Sequence, residues 1–261
     1  MRRNVSVGAL ALAAAMVTAP VLVAAQTNAP VVAVLYFDNN SFGKDHSDYD
    51  GLGKGIADLL INDMASNTAM RVVERDRIQS ILQEQELVRT KSIDPQTAVR
   101  LGKILGAQYM ITGGFMSDGK GTLVLTSRVI SVETSAITNP VKLQAKSDDV
   151  LGLVAQLSSK LNSELKLAPL PRQSGEAGAK KPADVGGTDR KEAGQQVAQR
   201  TAGTRSQKLD VKTALLYSKA LDEQDSGNPA KAAELYRAVL EKFPDFGPAK
   251  SNLAKVQKSG D

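Results

Sequence analysis

The chain has 261 residues, a formal net charge of +5, no Cys, no Trp and a single His. That length suits one or two domains of ordinary globular composition. Without Cys there is no disulfide, thiolate metal site, cysteine nucleophile or acylated cysteine of the bacterial lipoprotein type, and one His excludes His-rich zinc motifs.

The first 25 residues read as a secretory signal peptide. Arg2 and Arg3 form a positive start, Val5 to Val17 an apolar run, and Pro20 a break. Val23 and Ala25 then put small residues at the −3 and −1 positions of a cleavage site. The alternative is an uncleaved anchor, since this stretch is long enough to span a bilayer as a helix. Loss of the Arg pair takes the formal charge from +5 to +3, too little to argue for nucleic acid. The expectation is export across the inner membrane to the periplasm, without lipidation, and with peripheral association at the outer membrane left open.

Residues 30–168 alternate between strand and helix patterns. Val31 to Phe37 is a continuous apolar run, as in a strand buried on both faces, and Asp38-Asn39-Asn40-Ser41 closes it with turn formers. Leu52, Ile56, Leu59, Leu60 and Met64 share one helical stripe. Gly51, Gly53 and Gly55 weaken its start, so either the helix begins late or another segment must approach closely there. Met70 to Val73 is a short strand, after which Asp76 is expected to cap a helix carrying Ile78, Ile81 and Leu82. Asp94-Pro95 supplies a cap with Pro at the first helical position, and Gly106 suits the helix end. Tyr109–Met116, Leu123–Val132 and Ile137–Ala145 form an expected antiparallel meander with tight turns between. Val150, Val154, Leu157, Leu161 and Leu165 mark a long amphipathic helix starting near Ser147-Asp148. The expected fold is α/β, a mixed sheet with an antiparallel meander and packed helices.

Residues 169–206 hold six Gly, three Pro and only three large aliphatics, too little apolar surface to offset backbone entropy, so they read as a flexible linker. Residues 207–258 turn helical again. Leu216, Ala220, Gly227, Ala232, Tyr236, Leu240 and Pro244 match the spacing of one tetratricopeptide repeat, a small all-α hairpin. One repeat cannot bury its own faces, so this unit should dock on something, self-associate or be marginally stable.

Candidate chemistry is sparse. Asp45 to Gly51 is acidic, but an EF-hand register places Ala57 where the bidentate Glu belongs, so a solvated loop is favoured over a metal site. Gly51, Gly53 and Gly55 do not have phosphate-loop spacing. Arg75 is expected to pair structurally with a carboxylate such as Glu84. No catalytic triad assembles around His46. No catalytic, cofactor or metal residues are assigned.

Four stretches resemble the CsgG-like family of curli production assembly and transport components. They are Val32–Asn39, Leu52–Leu60, Val72–Leu87 and Leu101–Gly113, with Asp38, Asn39, Gly53, Glu74, Arg75, Glu84, Gln85, Gly102, Gly106 and Gly113 as motif positions. The resemblance implies a periplasm-facing domain that oligomerises in an envelope apparatus. The secretion channel of that family is a lipoprotein with two long membrane hairpins. This chain has no Cys, and Arg128, Glu133, Lys142 and Lys146 interrupt any lipid-facing band. The resulting expectation is a non-enzymatic envelope protein binding envelope partners and its own copies. Its candidate contacts are the helix Arg77–Leu87 and the outer faces of the C-terminal helices. The alternatives are an outer-membrane pore component, a periplasmic activator of cell-wall synthases, and a carboxylate enzyme using Asp38 or the Asp48/Asp50 pair.

Overall fold

The computed structural model describes residues 29–42, 46–87, 93–166 and 208–258. The expected signal segment and linker lie outside the described residues. Among these, no helix is long and apolar enough to cross a membrane.

The apolar run after Pro30 forms β1 (Val31–Val34), in which Val32, Ala33 and Val34 are fully buried. β1 pairs in parallel with β3 (Arg71–Val72) on one side and with β4 (Tyr109–Ser117) on the other. β2 (Asp38–Asn39) pairs in parallel with the far half of β4. From β4 the sheet continues antiparallel through β5 (Thr122–Ser131) and β6 (Val141–Lys146), giving the order β3-β1-β4-β5-β6. The return strand is shorter than its sequence pattern suggests. Ile137 makes only an isolated bridge to Ile130, one residue out of register with the β5–β6 ladder, and is 45% exposed; Pro140, which lacks a ladder N–H, lies just ahead of β6.

Side-chain parity divides the sheet. Phe115, Leu125 and Leu143 lie side by side and are buried, whereas Lys142, Gln144 and Lys146 are exposed on the reverse. On the buried side sit α1 (Leu52–Met64) and α4 (Val150–Glu164), which also pack on each other. On the reverse, α3 (Pro95–Leu105) covers only the end near Met110, and Gly102 there leaves room for the Met110 and Val132 side chains.

Caps follow local chemistry. The Asp94 carboxylate accepts the N–H groups of Gln96 and Thr97, and Gly106 ends α3 in the left-handed region at φ 67°. Asp149 caps α4, two residues into the expected start. The Asp76 expectation is corrected: α2 (Arg75–Glu84) starts two residues earlier, with Glu74 at the cap position. Arg75 is thereby inside the first turn, buried, where its side chain reaches other elements.

Three C-terminal helices follow: α5 (Val211–Asp225), α6 (Pro229–Lys242) and α7 (Gly247–Lys258). Ala220 and Ala232 are fully buried where α5 and α6 pack, and Tyr217 meets Phe246 edge-on with ring centroids 5.0 Å apart. Leu216 and Leu240 are half-buried, Gly227 turns the chain at φ 76°, and Pro244 follows the end of α6. The unit is docked within its own chain, with α5 lying along α1. The Val150 N–H donates to Leu209 O and the Val211 N–H to Ser147 O, tying its entry to the start of α4.

Candidate functional site

The helical unit meets the α/β body along α1 and the start of α2, and Asp58 and Arg75, the buried charges among the described residues, both lie in this seam. Arg75 is 3% exposed. Its Nη1 donates to both carboxylate oxygens of Asp225 at 2.7 Å, its Nη2 to Asp76 Oδ1 at 2.7 Å, and its Nε lies 3.3 Å from Asp58 Oδ1. Asp58 Oδ2 accepts the Tyr217 hydroxyl at 2.5 Å and Asn62 Nδ2 at 3.0 Å. Asn252 on α7 donates in turn to the Tyr217 oxygen at 2.9 Å. Lys54 Nζ bridges Asp225 at 2.9 Å and Asp222 at 2.5 Å, and lies 5.3 Å from the Tyr36 ring centroid. The Tyr36 hydroxyl donates to Gln79 Oε1 at 2.6 Å.

The Glu84 partner expected for Arg75 is therefore corrected. Glu84 sits exposed at the far end of α2, while three aspartates from α1, α2 and α5 surround the guanidinium. Burial disfavours the Arg75 charge, but Asp225 more than offsets it and holds its pKa above the ordinary value. Burial pushes the Asp58 carboxyl up, against the Tyr217 hydrogen bond and Arg75. Burial and the Asp58 charge together push the Tyr217 hydroxyl well above its ordinary range. These groups satisfy one another, as buried ionic groups must.

A polar cleft of about 230 Å³ opens beside the network between α1, the start of α2 and α7, with Glu74, Asp76 and Lys255 at its mouth. Lys255 and Asp76 approach to 3.5 Å across it. Among the described residues, no three His or acidic side chains come together as metal ligands. In the acidic loop, Asp50 accepts Asn39 Nδ2 at 2.9 Å, and Asn39 also holds the His46 carbonyl.

The glycines of the candidate motifs mark close approach. A Cβ at Gly53 would lie 1.8 Å from the Phe37 carbonyl oxygen, and one at Gly113 would meet Thr126 O and the Phe37 ring. A Cβ at Gly55 would lie 2.0 Å from Ser218 Oγ on α5. The structure thus selects the close-approach alternative: α1 starts at Leu52 and carries both glycines in its first turn. It brings Gly53 and Gly113 together at Phe37 and gathers Glu74 and Arg75 at the seam, but leaves Glu84, Gln85, Gly102 and Gly106 elsewhere.

Sequence reasoning missed Asp58, Lys54, Tyr217, Asp225 and Asn252. One signal was present: Asp58 is the single charge between Gly55 and Ile61, a run otherwise of small and apolar residues.

Residues 15–122 match the family model of the curli production assembly/transport component CsgG. Over that stretch the chain is similar to the CsgG family. All four resembling stretches fall within that span. It ends at the first residue of β5, so β6, α4 and the C-terminal helices lie outside it. No curated protein sequence matches. Among solved structures, the LpoB C-terminal domain from Salmonella enterica is similar at 17% identity, over 45% of this chain and 83% of that one, with a TM-score of 0.35. A PelC dodecamer from Paraburkholderia phytofirmans is similar at 16% identity, over 56% of this chain and 89% of that one, with a TM-score of 0.32.

Proposed function

We propose that this chain is a non-enzymatic protein of the bacterial cell envelope, exported to the periplasm, whose CsgG-like domain works by binding other proteins, copies of itself included, during assembly of a surface structure. The observation that carries this reading is the CsgG family match over residues 15–122. The seam supports the absence of catalysis. Its buried acids, cation and phenol are consumed by one another, whereas a catalytic group needs a free partner position and access to substrate.

The tetratricopeptide-like unit has a defined role in this reading. The face such a hairpin offers to a ligand is filled by α1 of the same chain, so the unit is a fixed brace on the CsgG-like domain. Partner contact is left to outward surfaces. On α2, Arg77, Ser80 and Glu84 are exposed on the side away from Ile78, Ile81 and Leu82.

Light scattering on the purified protein and cross-linked pull-down from envelope fractions test the reading. Assembly larger than a monomer, or an envelope partner whose capture falls in an Arg77→Glu/Glu84→Arg variant, is expected. A strict monomer that captures no envelope protein would overturn it.

A further inference from the structure

Among the described residues, the face of the sheet opposite α4 is open beyond the end covered by α3, and its exposed charges share one sign. Arg128 on β5 and Lys142, Gln144 and Lys146 on β6 are exposed. The register places Lys142 opposite Thr126 and Lys146 opposite Thr122. Arg128, one strand over, is diagonal to Lys142. At ~3.3 Å per residue along the strands, the three cations span roughly 20 Å of one surface. None of them is in an ion pair or hydrogen bond among the described residues. The nearest acid at the hairpin end, Asp118, is turned to the backbone N–H groups of Lys120 and Thr122. Asp38 lies beyond β4, in register with Gly114.

A protruding aromatic marks the same end. The Ser41 hydroxyl accepts the Ser117 N–H at the end of β4, which places the next residue, Phe42, beside the β4–β5 hairpin. Phe42 is 81% exposed, far more than the other large apolar side chains at the surface. Lys120 in that hairpin is exposed as well.

We propose that this face docks on the headgroups of an anionic phospholipid membrane, with Arg128, Lys142, Lys146 and Lys120 against the phosphates and Phe42 entering the interface. A protein partner would need an exposed apolar centre between the charges; here the side chains between them are Thr126, Gln144, the half-buried Met116 and Val124, which is only 9% exposed. A headgroup layer needs only surface charge and a shallow apolar anchor. The charges that interrupt a lipid-spanning band along β5 and β6 suit these strands to lie on a bilayer. The proposal rests on the envelope location in the reading above but not on any protein partner.

Vesicle co-sedimentation of the full chain tests it. Vesicles of phosphatidylglycerol in phosphatidylethanolamine should bind the protein, binding should weaken with added salt, and phosphatidylcholine vesicles should not bind. Neutralising Arg128, Lys142 and Lys146 together to Gln should lower partitioning about 100-fold. Phe42→Ser should lower it about tenfold. A control with the same charge loss on the helical unit, Lys212, Lys219 and Lys258 to Gln, should bind as the parent does. All of these sites are exposed, so unchanged melting should accompany every variant. Equal binding by the sheet-face variant, equal loss in the control, or binding to soluble alginate in place of vesicles would overturn the proposal. None of these results bears on the pull-down, so the two readings fail separately.

Discussion

Helix α1 is buried on two sides, and the two sides are built from different chemistry. Toward the sheet it presents Leu52, Ile56, Leu60 and Met64, each fully buried, against an apolar core. Toward α5 it presents Gly55, Asp58 and Lys54, met by Ser218, Tyr217, Asp222 and Asp225. The apolar side gains stability in proportion to area and tolerates exchange of similar volumes. The polar side gains little from area but accepts only one partner in one position, because any shift strands a buried charge. The α/β body is thus a core, and the helical unit is attached by a lock.

Three substitutions and a pH profile would break or sharpen that contrast. The largest effect should come from Asp225→Ala. It leaves Arg75 buried with only part of its compensation and Lys54 without its buried partner, so it should cost about 3 kcal/mol by denaturant titration. A cost no larger than that of a surface substitution would contradict the lock. Gly53→Ala tests the sheet side, since its Cβ would meet the Phe37 carbonyl oxygen, a backbone atom that cannot swing away. A loss of about 3 kcal/mol is expected, with no rescue by any side-chain change on α5.

Gly55→Ala tests the seam. Its Cβ would meet Ser218 Oγ, so a cost of about 2 kcal/mol is expected, with more than half recovered by adding Ser218→Ala. Additive costs in that double-mutant cycle would place α5 elsewhere in solution.

The smallest effect is the pH dependence, where two aspartates act with opposite sign. The backbone and hydroxyl of Thr97 hold Asp94 below the ordinary aspartate value of about 3.9. Its contribution is present above that value and lost as pH falls through the lowered folded pKa. Burial raises Asp58, so the folded state binds the extra proton and stability falls as pH rises from about 4 through the raised value. Thermal melts should show Asp94→Asn flattening the acid limb and Asp58→Asn flattening the limb above it. An unchanged profile in either variant would remove that residue from the account.

What was legible in the sequence is what repeats or caps locally. The α1 stripe, the Asp94-Pro95 start with Gly106 at the end, and the run from Val150 to Leu161 each express a period or a boundary within a dozen or so residues. The seam has no such signature. Arg75 and Asp225 are 150 positions apart, and Asp58 and Tyr217 are 159 apart, so no spacing announces them. Glu84 lies nine positions along the same helix from Arg75, whereas the guanidinium, buried in the first turn, is met by Asp76 beside it and by Asp58 and Asp225 from α1 and α5. The glycines gave a half signal: their position showed that something must come close, but not that Phe37 and Ser218 do.

The most direct test is calorimetry of the whole chain. A helical unit locked to α1 predicts one cooperative transition in the parent, with calorimetric and van't Hoff enthalpies equal, and a second, lower transition appearing in Asp225→Ala. Two separate transitions in the parent protein, untouched by that substitution, would show the helices and the α/β body to be independent and would contradict the account.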